Sequence, residues 1–282
     1  STEYLIKLCH NLSVIKSTIY RVYNMSEKII DLGNGFYNIR GNFHVGGVLN
    51  IGTQCSLIQL DNKRFIFLDS YSLTGEIKDK VMAMTDNGKQ VEAILNVHPF
   101  HTVYCEQMAN DFPNATLYGS ARHQQKLPHL NWATDTVESQ AVANGYPELK
   151  FSMAKGIYYI HPNENIHVGS LLVYHPASQA LHVDDTFNTL PHFDTIESVL
   201  EKIGYSPKKL FLNPLTKLAL KPETNAGKAF CDWAKQLADD WQSTRYLCAA
   251  HADEVEFEKG EFKQLLVEAV AKMRPKLESP DH

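Results

Sequence analysis

The chain has 282 residues, a formal net charge of −5 and a pI near 6.2. Because this weakly acidic balance provides no broad basic surface, it excludes nucleic acid as a default partner. A composition with 44% hydrophobic and 21% charged residues is that of a folded globular protein, and it excludes a disordered or collagen-like chain.

The first two dozen residues alternate apolar and polar side chains and lack the continuous apolar run of a signal peptide. Met25 then begins the segment MSEKIIDLGNGFYNIRG, which is typical of the start of a domain. We therefore expect residues 1–24 to be an N-terminal extension or an expression artefact, and residues 25–282 to form one domain.

Strand patterns occupy residues 28–70, in the segments KIIDLGNGFYNIRG, VGGVLNIGTQCSLIQLD and FIFLDS, with breaks rich in Gly and Asn between them. Residues 75–89 place Ile77, Val81 and Met84 near helical spacing and end at Asn-Gly, which predicts an amphipathic helix. A buried strand over residues 91–97, a helix in TVYCEQMANDF and a strand in ATLYGS follow.

The second half begins with a polar stretch, residues 122–150, which we interpret as a loop-like insertion and a candidate lid. Strand character returns in GIYYIHP, NIHVGSLLVYH and ALHVDDTF, with hairpin turn residues at PASQ. Helices are predicted in TIESVLEKIG, TNAGKAFCDWAKQLADDWQS and FKQLLVEAVAKMRPKL, and a short strand in RYLCAAH precedes the last of them. One sandwich-type domain accommodates these elements.

The cysteines and the apolar runs both bear on the compartment. The five cysteines are odd in number and form no C-x-x-C pair, which argues against a disulfide framework or a zinc ribbon and favours a reducing cytoplasm; they are Cys9, Cys55, Cys105, Cys231 and Cys248. No run of about 18 apolar residues is available to span a bilayer. We expect a protein without a membrane partner.

Ionisable side chains recur where predicted apolar strands end. The segments are LNVHPFH with His98 and His101, NIHVGS with His167, ALHVDDT with Asp184 and Asp185, and LCAAH with His251. Divalent metal ions bind imidazoles and carboxylates that converge from separate loops, and a strand end can hold such a ligand on a rigid scaffold. The pattern predicts a metal site at these strand ends.

These segments, in this order, resemble the metallo-β-lactamase superfamily over about residues 28–255. FIFLDSY is similar to its early strand ending in Leu-Ile-Asp-Thr-Gly, with Asp69 in the Asp position. SLLVYHPASQALHVDDTF resembles the stretch that carries the bridging aspartate, here Asp185, and LCAAHAD resembles the strand with the final metal histidine, here His251. The resemblance implies a mixed α/β (α+β) fold, a four-layer αββα sandwich.

The histidine motif departs from the family pattern His-x-His-x-Asp-His. Two residues separate His98 from His101, and Val103 and Tyr104 stand where the Asp-His pair would follow. In the family this pair largely builds the second metal position. The resemblance therefore implies a degenerate subfamily with an HPFH-type motif and a reduced site for one Zn²⁺ or Fe ion.

The ligands implied for that ion are His98, His101, His167, Asp185 and His251. A gapless alignment places Ile166 at the position of the family's third metal-binding histidine. His167 therefore fits this position only if one residue is deleted, and His175 is the alternative. We assign five further histidines to the surface or to the surroundings of the site: His123, His129, His161, His182 and His192.

Two classes of function remain open from the sequence. A metal ion with an open coordination position acidifies water, which predicts a hydrolase of an ester, lactone, thioester or phosphodiester, with Asp184 and Asp69 as catalytic carboxylates. Asp69 is equally compatible with a bracing role. The alternative is a fold without catalysis that binds a small molecule or a metal. A Cys105 nucleophile served by His101 is a weaker third hypothesis. The expected partner is a small-molecule substrate, and a homo-oligomer is compatible with the sequence.

Overall fold

The computed structural model describes residues 27–45, 49–50, 52–189 and 209–279. The first half of the chain contains strands β1 (Lys28–Asp31), β2 (Phe36–Gly41), β3 (His44–Val45), β4 (Leu49–Asn50), β5 (Thr53–Gln59), β6 (Phe65–Leu68), β7 (Val91–Leu95) and β8 (Thr116–Tyr118). Its helices are α1 (Gly75–Met84), α2 (Cys105–Asp111), α3 (Ala121–Lys126) and α4 (Gln140–Gly145).

The second half contains strands β9 (Lys150–Met153), β10 (Leu171–His175), β11 (Ala180–His182), β12 (Phe187–Asn188), β13 (Phe211–Leu212), β14 (Tyr246–Cys248) and β15 (Val255–Glu256). Its helices are α5 (Ala226–Asp240) and α6 (Glu261–Leu277). The proposed N-terminal extension and the helix predicted in TIESVLEKIG lie outside the described residues.

The first sheet has six strands in the order β1-β2-β5-β6-β7-β8. Neighbours from β1 to β6 are antiparallel, whereas β6, β7 and β8 are parallel. Parallel neighbours need a crossover connection, and helices α1 and α2 provide the two crossovers here. The carboxyl ends of β6 and β7 consequently meet at one edge of this sheet.

The second sheet has five strands in the order β15-β14-β11-β10-β9. Strands β10 and β11 form the predicted antiparallel hairpin, and β11 runs parallel to β14 with His182 opposite Cys248. The carboxyl ends of β11 and β14 therefore also lie side by side.

Three apolar clusters lie between the four layers of the fold, which are two sheets with helices on both outer faces. The two sheets pack face to face through Phe36, Ile66, Leu95, Val173 and Cys248. The outer face of the first sheet packs on α1 and α2 through Phe67, Val81 and Met108. The outer face of the second sheet packs on α5 and α6 through Leu181, Phe230 and Leu266. The predicted αββα sandwich is confirmed.

Most predicted elements form within the expected segments, but residues 122–150 are not loop-like. They contain most of α3, all of α4 and the start of β9, and His123 and Val137 within them are buried. Two six-residue helices are too short for an apolar repeat to mark them. The α3 start is fixed instead by a capping box between Ser120 and His123. The segment GIYYIHP forms only an isolated bridge between Ile157 and Leu220.

The described cysteines, Cys55, Cys105, Cys231 and Cys248, are buried free thiols. Among the described residues, no helix combines the length and the apolar character needed to cross a membrane.

Candidate metal centre

Ionisable side chains from both sheets meet where four strands end. Asp69 follows β6, and His98 and His101 lie in the turn after β7. Asp184 and Asp185 follow β11 of the second sheet, and His251 lies three residues beyond β14. The edge of the sandwich therefore collects residues that are far apart along the chain.

Asp69 ties the HPFH turn to the first sheet. Its Oδ1 accepts the backbone N–H groups of Val97 at 2.8 Å and of His98 at 3.2 Å. Its own backbone N–H donates to the carbonyl oxygen of Leu95 at 2.8 Å. These contacts fix the backbone that leads from β7 into the first histidine.

We call His98, His101, Asp185 and His251 the outer donor group. Asp185 uses both carboxylate oxygens: Oδ2 lies 3.1 Å from His98 Nε2, and Oδ1 lies 3.4 Å from His251 Nε2. His101 Nε2 is 3.9 Å from Asp185 Oδ2. Ligand atoms of His98, His101 and Asp185 all lie within 4.8 Å of one another, a spacing that one metal ion can span.

We call Asp69, His101, Asp184 and His182 the inner donor group. His101 takes part in both groups, because its Nδ1 lies 3.4 Å from Asp69 Oδ2 and 4.0 Å from Asp184 Oδ1. His182 Nε2 faces the same two carboxylates, at 3.8 Å from Asp69 Oδ2 and 3.5 Å from Asp184 Oδ1.

Burial and charge pairing shift the pKa values of this site in opposite directions, and the effect of charge pairing is the larger. Burial disfavours charge on the imidazoles, but the neighbouring carboxylates raise the pKa of His101 and of His182 to about 9. Burial likewise disfavours charge on Asp69 and Asp185, but the close approach of the imidazoles to these carboxylates holds both pKa values well below the usual range. The carboxylates thus attract positive charge, which in the metal-free protein is carried by the protonated imidazoles.

Several buried polar atoms at the site lack a hydrogen-bond partner. They are Nε2 of His98, Nε2 of His182 and Oδ2 of Asp184. Leaving a buried polar group unpaired costs about 1–3 kcal/mol, so such atoms are rare in folded proteins and mark places where a ligand or ion binds. The donor chemistry, mixed imidazole nitrogen and carboxylate oxygen, fits a divalent transition metal.

The two outer histidines differ in how ready they are to bind an ion. His251 Nδ1 lies 3.0 Å from the carbonyl oxygen of Gly52, which can only accept, so Nδ1 carries the proton and Nε2 keeps its lone pair. His98 Nδ1 instead accepts the backbone N–H of Phe100 at 3.2 Å, which leaves the proton of the neutral ring on Nε2. This contact must lengthen when His98 Nε2 binds an ion.

The structure places four of the five sequence-predicted ligands in the outer donor group, and His167 elsewhere. The His167 ring stacks on Phe100 with ring centroids 5.0 Å apart, and burial lowers its pKa. Among the described residues, the compact His/Asp groups include neither His167 nor His251, and His251 joins the outer donor group through its contact with Asp185. The alternative, His175, is bound to Ser178 at 2.8 Å, at the end of β10 remote from the site.

His182 is a site residue that the sequence interpretation undervalued. It is fully buried on β11 beside Asp69 and Asp184, so of the two predicted places, the surface and the surroundings of the site, it occupies the second. The signal was present in ALHVDD, because residues two apart in an extended segment share a face, which places His182 beside Asp184. His123 is also buried, and its Nε2 lies 3.4 Å from the His101 carbonyl oxygen.

Cys105 does not have the surroundings of a nucleophile. Burial raises the pKa of its thiol to about 12, and its Sγ donates to Asn96 Oδ1 at 3.3 Å. A thiol without thiolate character is unreactive.

Comparison with known proteins shows which solved structures share this architecture. No known family model matches the sequence, and no curated protein matches it. A metallo-β-lactamase from Erythrobacter litoralis, with β-mercaptoethanol in its active site, superposes with a TM-score of 0.57 and 12% identity over 88% of this chain and 97% of its own. Metallo-β-lactamases from Pontibacter korlensis and Hirschia baltica give TM-scores of 0.54 and 0.53, at 9% and 12% identity, over 87% and 86% of this chain and 99% and 97% of their own.

The chain therefore has the metallo-β-lactamase fold over most of its length. The predicted resemblance to that superfamily is confirmed at the level of the fold. The HPFH-type subfamily stays a prediction from the sequence.

Proposed function

We propose that this protein is a metal-dependent hydrolase that holds one divalent ion, Zn²⁺ or Fe²⁺, in the outer donor group. The observation that carries the proposal is the convergence of imidazoles from the ends of β7 and β14 on the carboxylate of Asp185. A bound divalent ion lowers the pKa of water toward neutrality and polarises an electrophilic carbonyl or phosphoryl group.

The residues of the site divide by their exposure. The side chains of His101 and His251 are 25% and 31% exposed, so they can meet a small-molecule substrate. Asp69 and Asp184 are only 1% exposed. We therefore assign these two carboxylates to positioning His101 through its Nδ1, and not to direct contact with substrate.

The rim of the site offers a surface for a substrate. The Arg122 guanidinium lies 4.4 Å from the centroid of the Phe100 ring, which also stacks with His167. An apolar ring flanked by polar groups suits a small organic ester, lactone, thioester or phosphodiester. The proposal includes a reducing, cytoplasmic compartment, which the buried free thiols support.

The test is hydrolysis before and after metal exchange. The full chain is stripped with a chelator, reloaded with Zn²⁺ or Fe²⁺ and assayed with a chromogenic ester, lactone, thioester and phosphodiester. We expect turnover of at least one substrate only after reloading. The double variant His98→Ala/His251→Ala should lower kcat/KM by at least about a hundredfold, because it removes two ligands. The matched control is His175→Ala, a buried histidine of the same domain that does not face the site.

Hydrolysis that survives both the chelator and the double variant would contradict the proposal. Stoichiometric metal without turnover of any of the four substrates would support the alternative of a non-catalytic binding protein.

A further inference from the structure

We propose that the buried guanidinium of Arg40 forms a site for a small monovalent anion, such as chloride or formate. The position lies between the two sheets and is separate from the donor groups of the candidate metal centre. The ligand chemistry is a halide or a carboxylate held by N–H donors of an arginine. The proposal goes beyond the proposed function and does not depend on hydrolysis.

Arg40 lies near the end of β2, at the same edge of the sandwich as the candidate metal centre. Both β2 and β6 are antiparallel to β5, so β2 and β6 end at the same edge of the first sheet. Side chains alternate along a strand, and Arg40 therefore shares the inter-sheet face of β2 with Phe36. Its Nη1 donates to the carbonyl oxygen of Ala249, two residues before His251. The guanidinium thus supports the strand end that leads to His251.

The other two nitrogens of the guanidinium have no partner. Arg40 is fully buried, and neither its Nε nor its Nη2 makes a hydrogen bond. These two nitrogens form one edge of the planar group, and the parallel N–H bonds of such an edge can hold both oxygens of a carboxylate. An unsatisfied buried donor is unfavourable, and a charged donor is more so. This edge of Arg40 is therefore suited to bind an acceptor that carries negative charge.

The positive charge of Arg40 is also unbalanced. A guanidinium stays protonated in proteins, so burial cannot neutralise it by removing a proton. Among the described residues no carboxylate pairs with Arg40, and Glu254, which like Arg40 acts on Cys248, is paired with Lys28 at 3.2 Å. Burial raises the pKa of the Cys248 thiol to about 12, so this neighbour carries no negative charge. A bound anion would balance a buried charge that is otherwise strongly unfavourable.

The neighbours of Arg40 favour a small ion. Gln54, the cross-strand neighbour of Arg40, donates to the carbonyl oxygens of Val183 and Cys248 on the second sheet. The two sheets are therefore bridged by hydrogen bonds beside the guanidinium. A bulky anion would have to separate them, whereas a small ion can exchange through brief local opening.

Thermal unfolding of the chelator-treated full chain in chloride, formate or gluconate, at equal ionic strength, tests the proposal. A ligand that binds only the folded state raises the unfolding midpoint. We expect the wild-type midpoint to be at least about 2 °C higher in chloride or formate than in gluconate, which is too bulky to enter. The larger shift of the two identifies the occupant as a halide or a carboxylate.

Two arginine variants assign the effect to its place. We expect Arg40→Met, which removes the charge and keeps an unbranched side chain, to have the same midpoint in all three salts. The matched control is Arg64→Met, an exposed arginine paired with Glu92 at 3.0 Å, and it should keep the wild-type difference.

Equal midpoints of the wild type in all three salts would overturn the anion site. A difference that Arg40→Met retains would also overturn it, because the anion would then act elsewhere. If Arg40→Met does not fold, wild-type crystals grown in bromide decide the question. An anomalous peak within hydrogen-bond distance of Arg40 Nε and Nη2 supports the site, and bromide at surface residues alone overturns it. Neither result bears on the proposed hydrolase, since the protein is metal-free throughout.

Discussion

Asp69 combines an unusual backbone conformation with a central place in the site. Its φ of 62° lies in the left-handed region, which non-glycine residues adopt infrequently and which often marks functional positions. The hydrogen bonds that its Oδ1 accepts from Val97 and His98 stabilise this conformation. One oxygen thus shapes the turn and the other faces two imidazoles, which explains why a carboxylate occupies this strand end.

His123 gives the metal-free protein a specific pH dependence. Burial lowers its pKa to about 4, against about 6.5 in the unfolded chain. Between these values the unfolded state binds a proton that the folded state does not, so stability is lost as the pH falls through this window. The full effect is about 3 kcal/mol.

Urea unfolding of the chelator-treated protein at several pH values from 6.5 to 4 measures this effect. We expect the free energy of unfolding to fall less steeply in His123→Gln than in the wild type. Other buried histidines, such as His175, titrate equally in both proteins. Identical slopes would show that folding does not lower the pKa of His123.

At the scale of elements, helices α5 and α6 meet at a glycine. A Cβ added at Gly227, in the first turn of α5, would overlap the carbonyl oxygen of Leu277 at the end of α6. An alanine normally stabilises a helix relative to glycine by up to about 1 kcal/mol. Here the clash involves backbone and not a flexible side chain, so the two helices would have to move apart.

We expect Gly227→Ala to lower the free energy of unfolding by about 1–3 kcal/mol, as overpacking does. Gly145→Ala is the matched control, because nothing lies within 4 Å of a Cβ there. Urea denaturation midpoints compare the two. A midpoint for Gly227→Ala equal to or above that of Gly145→Ala would mean that the helices do not approach this closely.

The elements that could be predicted from the sequence are those with a long repeat or a clear turn. Helix α1 buries Ile77 and Val81 at the predicted spacing, and PASQ makes the predicted hairpin turn. Strand β9 could not be predicted, because it is an edge strand whose residues are only half-buried or exposed. Without one buried face, the sequence carries no alternation to detect.

At the scale of the whole molecule, the site depends on how the two sheets are placed against each other. Asp69, His98 and His101 come from the first sheet, and Asp185 and His251 from the second. The motif order was enough to predict that these strand ends meet. That His167 stacks on Phe100 and lies outside the compact donor groups could not be predicted from order alone, since a shift of one residue in an extended segment moves a side chain to the other face.

Anomalous diffraction from crystals of the full chain grown with Zn²⁺ locates an ion directly. We expect an anomalous peak at about 2.0–2.2 Å from His251 Nε2, His98 Nε2 and a carboxylate oxygen of Asp185. Zinc peaks that lie only at surface residues, with these three side chains in their metal-free positions, would show that the convergence of imidazoles on Asp185 does not form a metal centre.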